Sequence, residues 1–232
     1  RDKVCYLGLV YKKIDMKEDN INACCAAQMF LDSGDGMVFK GNLGPWYNPF
    51  TKEYHLNKED AFQLLNQSLE AFKEKSGAYP NEVFIHAKTN FNDEEWGGFE
   101  SAAAGKSKVV GVKIKDDATF KIYRDYSYCV PRGTVLKHTG KKGYLWTRGF
   151  IPRLQTQSGL EVPNPLHVEV IRGEADFLTV CKDVLSLTKL NYNACMFADG
   201  KPVTLRFAEN IGDVLTAGKD LKTGVLTFKH YI

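Results

Sequence analysis

Between residues 4 and 123 the hydrophobic pattern switches repeatedly between the period of a strand and that of a helix, and the order of those switches restricts the fold more than any single motif. Residues 4–11 (VCYLGLVY) are apolar, β-branched and aromatic and end at Lys12-Lys13, which predicts a buried strand. Residues 23–31 (ACCAAQMFL) predict a second strand, and the DSGDG turn at 32–36 followed by residues 37–40 predicts its hairpin partner. After a loop rich in Gly, Pro and Asn at 41–51, Phe62, Leu65, Leu69 and Phe72 recur at helical spacing. Asn57 is placed to cap that helix, and Gly77 with Pro80 to end it. Residues 82–86 (EVFIH) predict a strand. Asn92 then caps a second helix, with Glu95 three residues on in a capping-box arrangement. Residues 109–114 and 120–123 predict a further hairpin, turned at Asp116-Asp117. The order β-β-β-α-β-α-β is that of an RNase H-like α/β fold, a mixed central sheet flanked by helices.

The second half is less regular. Pro163-Asn164-Pro165 interrupts the chain, and residues 166–171 (LHVEVI) alternate like a strand. Residues 177–190 read as a helix with Val180, Val184, Leu187 and Leu190 on one face, and residues 203–215 as a last amphipathic helix. No repeat or linker divides the chain, so one domain is expected over residues 1–232. The start at Arg1-Asp2-Lys3, without Met, leads us to expect a fragment of a longer chain or a processed one.

With 44% hydrophobic and 25% charged residues, the chain can bury a substantial core. No run of eighteen apolar residues offers a membrane-spanning helix. The six cysteines form no CxxC pair, which argues against a zinc site and for small buried hydrophobes in a reducing compartment; the cytoplasm is expected.

The net charge of +3 says little, but its distribution says more. Residues 126–160 contain no Asp or Glu, yet hold Arg132, Lys137, Lys141, Lys142, Arg148 and Arg153 among Tyr126, Tyr128, Tyr144, Trp146 and Phe150. Such a window favours contact with phosphates, with aromatic rings available to stack bases. The competing reading is a solvated hairpin whose counter-charges come from elsewhere in the fold.

Several segments together resemble the PIWI domain of prokaryotic Argonautes: VPRGT at 130–134, GYLWTRGFIP at 143–152, LTKLNYN at 187–193 and PVTLRFA at 202–208. LGLVYK at 7–12 and VFIHAKTNF at 83–91 fit the RNase H-like half of the same domain. The similarity is closest to the short, catalytically inactive type, in which a middle domain and a PIWI domain act with an effector protein. The resemblance implies the C-terminal part of a chain that also has a middle domain.

That resemblance implies specific residues. Active relatives cut a target strand with two divalent metals held by carboxylates. The first-strand Asp is replaced here by Val10 and the Asp at the end of the fourth strand by Ala87, while Glu209 on the last helix is left and Lys88 adds a positive charge. No enzyme activity is therefore expected. The alternative is a guide-dependent slicer with an unrecognised metal site at Asp15, Asp32, Asp35 or Asp93, although each of these also reads as turn or cap chemistry. The implied partners are a guide RNA, a single-stranded DNA target and an effector subunit, with no membrane, in prokaryotic defence against foreign DNA. Arg132, Lys137, Arg148, Arg153, Lys189, Asn191, Asn193 and Arg206 are the nucleic-acid contacts expected. Asn191 and Asn193 read equally well as helix-end caps. The terminal carboxylate of Ile232 is expected to help a Mg²⁺ ion hold the guide 5′-phosphate. His86 is expected to be a core histidine at a strand end.

Overall fold

The computed structural model describes residues 3–13, 22–30, 36–39, 43–44, 47–48, 50–157, 162–190, 200–217 and 226–227. In chain order the first elements are β1 (Val4–Lys13), β2 (Asn22–Phe30), β3 (Gly36–Phe39), β4 (Leu43–Gly44), β5 (Tyr47–Asn48), β6 (Glu53–Tyr54), α1 (Lys58–Ser76), β7 (Glu82–Ala87) and α2 (Asp93–Ala103). They are followed by β8 (Lys108–Asp116), β9 (Val135–Lys137), β10 (Lys142–Leu145), β11 (Phe150–Ile151), β12 (Thr156–Gln157), β13 (Leu166–Arg172), α3 (Phe177–Leu187), α4 (Val203–Ala217) and β14 (Leu226–Thr227). Two compact units divide the chain, one of Arg1–Gly111 with Thr204–Ile232, the other Val112–Val203.

In the first unit the sheet runs β14-β3-β2-β1-β7-β8, with β4 beside β2. The three opening strands form the expected antiparallel meander, whereas β1 and β7 are parallel, so the sheet is mixed. Val4, Cys5, Leu7, Leu9 and Val10 are all buried, odd and even positions alike. That is the signature of a strand covered on both faces, and it explains why β1 lies inside the sheet.

Helices α1 and α2 start where short polar side chains allow. Asn57 Oδ1 accepts the Asp60 N–H at 2.8 Å, and α1 ends at Gly77 in the left-handed conformation, φ 76°. Burial of Leu64, Leu65, Leu69 and Phe72 holds α1 in place, each side chain contributing about 1.5–3 kcal/mol. The two helices meet at Gly98, where a Cβ would come within 2.3 Å of the Lys58 carbonyl oxygen. Asn92 caps α2 by accepting the Glu95 N–H at 2.8 Å. Only half of the capping box forms, because the Glu95 carboxylate is drawn to Tyr11, His55 and Leu56 instead of turning back to its own helix.

In the second unit the later residues of β8, then β13, β10 and β9, lie side by side, with β10 antiparallel to both neighbours. The hairpin expected from residues 120–123 does not form. β8 takes β13 as its neighbour, a pairing continued by the Asp117 N–H to the Pro165 carbonyl at 3.0 Å. Phe120 instead stacks on Tyr144, ring centroids 4.7 Å apart, and so serves packing rather than a ladder. Helix α3, capped by Asp176 on the Thr179 N–H at 2.8 Å, stops at Leu187 rather than 190. There the Thr188 hydroxyl donates to the Leu185 carbonyl at 2.6 Å and the Lys189 N–H tightens onto Ser186.

Candidate nucleic-acid interface

The parallel register of β1 and β7 sets out the end of the sheet where the resemblance put metal-binding carboxylates. Gly8 pairs with His86, and Leu9 with Ala87. Partners in register share a face, and faces alternate along a strand. The Gly8–His86 face is the one that meets α4: His86 Nδ1 lies 3.0 Å from Thr204 Oγ1, and a Cβ on Gly8 would sit 2.1 Å from the Thr204 carbonyl oxygen. Two residues on from Gly8 in β1, Val10 belongs to this face, and Lys88, just past the end of β7, turns to α4, where its Nζ makes an ion pair with Glu209. The structure thus brings Val10, Lys88 and Glu209 to one face and places Ala87, buried with Leu9, on the other.

His86 is a core histidine, as its position at a strand end suggested. Burial pushes its pKa down to about 3, so the ring is neutral and is held by Thr204.

Between α2 and the loop before α1 lies a second polar cluster that the sequence did not reveal. Glu95, only 1% exposed, receives the Tyr11 hydroxyl, the Leu56 N–H at 3.3 Å and His55 Nδ1 at 3.2 Å. His55 Nε2 is 3.3 Å from Glu53. The hydrogen bond to Glu95 raises the His55 pKa against the opposing effect of burial, and Glu53 adds to the rise. The Glu95 spacing read as a cap, and nothing local in the sequence pointed to its distant partners.

The basic window lies in the second unit, and its cations divide into two groups. Lys137, Lys141, Arg148, Arg153 and Lys189 are exposed. Gly200, at φ 90°, allows the chain to pass Arg148, whose Nε would lie 2.5 Å from a Cβ there. Others are engaged within the fold. Lys142 stands opposite Glu169 on β13, and Lys137, although exposed, also acts on the Asp176 carboxylate. Arg132 is half-buried at the C-terminal end of α3, where its Nη2 donates to Thr188 Oγ1 at 3.0 Å. Its Nε is buried without a hydrogen-bond partner among the described residues, and burial lowers its pKa. A cation there complements the free carbonyls of a helix end. Counter-charges therefore reach part of the window, while its outer edge stays cationic.

Arg206 is half-buried on α4 in the first unit. Asn191, Asn193, Ile232, Asp15, Asp32 and Asp35 lie outside the described residues, and Asp93 sits in the first turn of α2. Among the described residues no group of three or more His, Cys, Asp or Glu side chains is arranged to hold a metal ion, and no helix is long and apolar enough to cross a membrane. Val10 is aliphatic, and the carboxylate on its face is paired with an ammonium. Among the described residues this face therefore carries one carboxylate, where a pair of hard divalent cations requires several anionic oxygens together.

Solved structures share this architecture. Clostridium butyricum Argonaute, bound to a guide DNA and a 19-mer target DNA, matches with a TM-score of 0.71 and 18% identity over 91% of this chain and 27% of that one. A. aeolicus Argonaute matches with a TM-score of 0.64 and 14% identity over 97% of this chain and 30% of that one. The same Argonaute with externally bound siRNA matches with a TM-score of 0.64 and 15% identity over 100% of this chain and 30% of that one. No family model and no curated protein matches the sequence. The mixed sheet flanked by helices is thus the α/β fold of Argonaute PIWI-like structures. The chain spans 27–30% of the length of these neighbours.

Proposed function

We propose that this chain is the PIWI part of a catalytically inactive Argonaute, which holds a guide strand paired to a nucleic-acid target without cutting it. The guide in this reading is RNA and the target single-stranded DNA. Pairing signals to an associated effector in prokaryotic defence against foreign DNA, within the cytoplasm. The observation that carries the reading is the Lys88–Glu209 ion pair on the face shared with Val10, within an Argonaute-like fold. An ammonium attracts the phosphates that two metals would otherwise neutralise, but it cannot activate a water for attack.

Sequence recognition then falls to base pairing, and the protein needs only to grip backbones. Lys137, Arg148, Arg153 and Lys189 present exposed cations for that purpose; Arg206, Asn191 and Asn193 belong to the same proposal through the resemblance. So does a Mg²⁺ ion at the guide 5′-phosphate, which the Ile232 carboxylate would help to hold.

Sequencing and end-labelling of nucleic acid that co-purifies with the protein tests this function. Short 5′-phosphorylated RNAs are the expected cargo. An effector protein recovered without any nucleic acid would reduce the chain to a scaffold. Guide-dependent scission of a target with Mg²⁺ or Mn²⁺ would establish the slicer alternative.

A further inference from the structure

The loop between β8 and β9 carries an aromatic ladder with an exposed end. At its base Tyr128 stacks on buried Phe150, with centroids 4.2 Å apart and planes inclined by 13°. Tyr126 follows at 6.2 Å from Tyr128, and the Arg124 guanidinium lies over the Tyr126 ring at 5.3 Å. Tyr126 nevertheless remains 67% exposed, and Tyr123, earlier in the same loop, is 75% exposed. The loop backbone is tied down: Arg124 Nη1 donates to the Cys129 carbonyl at 3.1 Å, and the Cys129 N–H to Gln157 Oε1 at 3.0 Å.

The Tyr126 ring and the planar Arg124 cation are thus held at the surface by a fixed base, with exposed Tyr123 just before them in the chain. Rings of this size ordinarily gain by burial, so leaving them in water on an anchored loop forgoes that gain. Pre-ordered aromatic and guanidinium planes suit stacking with unpaired bases, which binds any sequence because every base has a π-face. Charge indicates the same occupant. Exposed Asp125 stands between Arg124 and Tyr126, but beyond it the chain has no acidic residue until Glu161, so the segment that continues from the platform is cationic. A polyanion is favoured there, and an acidic backbone beside stacked bases is single-stranded nucleic acid.

We infer that Tyr123, Arg124 and Tyr126 form a stacking platform for an unpaired stretch of nucleic acid, separate from the paired guide and target. Tyr126 and the Arg124 plane take the bases, and the arginine charge meets the phosphates. The choice of probe rests on the guide-and-target reading above, but the platform itself does not require it.

The test is fluorescence anisotropy on the purified chain. One probe is a blunt guide–target duplex, the second the same duplex with a single-stranded DNA tail of about eight nucleotides, and the third that tail alone. The tail should tighten wild-type binding about five- to tenfold. Tyr126→Ala and Tyr123→Ala should each remove most of that gain and leave blunt-duplex affinity unchanged. Tyr126→Trp should keep it, and Arg124→Lys should lose part of it because the charge stays and the plane does not. Both tyrosines are exposed, and an unchanged thermal midpoint would show the fold intact. Equal affinity for tailed and blunt duplexes in the wild type, or a tail gain unaltered by Tyr126→Ala, overturns the inference. Loss of a protein partner in Tyr126→Ala with the tail gain intact also overturns it. Wild-type binding to the free tail but to no duplex would instead defeat the guided function and leave the platform standing.

Discussion

Lys88, one residue beyond the end of β7, is ion-paired with Glu209 on α4, and the two are 121 residues apart in sequence. The pair fastens a helix to the end of the sheet. Lys88 is 41% exposed in its side chain and Glu209 16%, so removal of either partner has unequal effects. Lys88→Met should lower stability by about 1–2 kcal/mol, since it takes the ammonium from a mostly buried carboxylate. Glu209→Gln should cost less than about 1 kcal/mol, because the lysine reaches water. Urea denaturation of both single variants and the double variant measures the coupling, and a double variant as damaged as the sum of the singles would contradict it.

Gly8 is required by the approach of α4. A methyl group there would lie 2.1 Å from the Thr204 carbonyl oxygen, a backbone atom that moves only with its helix. Gly8→Ala should destabilise the protein by about 2–3 kcal/mol or more, read as a fall in the denaturation midpoint. A change below about 0.5 kcal/mol would mean that α4 sits further from β1 than described.

Two histidines give stability opposite pH slopes. His86, with a folded pKa of about 3 against an ordinary 6.5, takes up its proton only on unfolding, so stability is lost as pH falls below 6.5. That slope is at most about 1.4 kcal/mol per pH unit. His55 has a raised pKa, from the Glu95 hydrogen bond first, so its contribution is full below 6.5 and is lost as pH rises through the folded value. In denaturation followed across pH, His86→Gln should flatten the acid side and Glu95→Gln the side above 6.5. If Glu95→Gln leaves the upper slope intact, the cluster is not the cause.

Much of this architecture is legible locally. β1 reads as an interior strand because adjacent residues of both parities are apolar, and α1 and α2 declare their starts through Asn57 and Asn92. The hairpin after β8 is misread because its real neighbour, β13, comes some fifty residues later and competes for the same ladder. In the same way, that Ala87 shares the Leu9 face and not the Gly8–His86 face follows only from the register. A one-residue offset exchanges faces, and sequence spacing alone does not reveal it. Arg132, expected to contact phosphate, also meets Thr188 at a helix end, which its position in the basic window did not indicate.

That last point separates the cations of the basic window. Lys137→Ala, Arg148→Ala and Arg153→Ala should each reduce the slope of log K against log salt by about 0.7–0.9 for nucleic-acid binding. Arg132→Ala should act chiefly on stability, because its guanidinium is engaged at the end of α3. Anisotropy titrations at several salt concentrations distinguish the two, and a full unit of slope lost with Arg132→Ala would reverse the assignment.

The most direct test is the length of the labelled strand recovered from the protein after incubation with guide, complementary target and Mn²⁺. The ion pair at Lys88 and the aliphatic Val10 lead to capture of full-length target, dependent on complementarity to the guide. Target shortened at a discrete site, or no capture of a complementary strand at all, would contradict it.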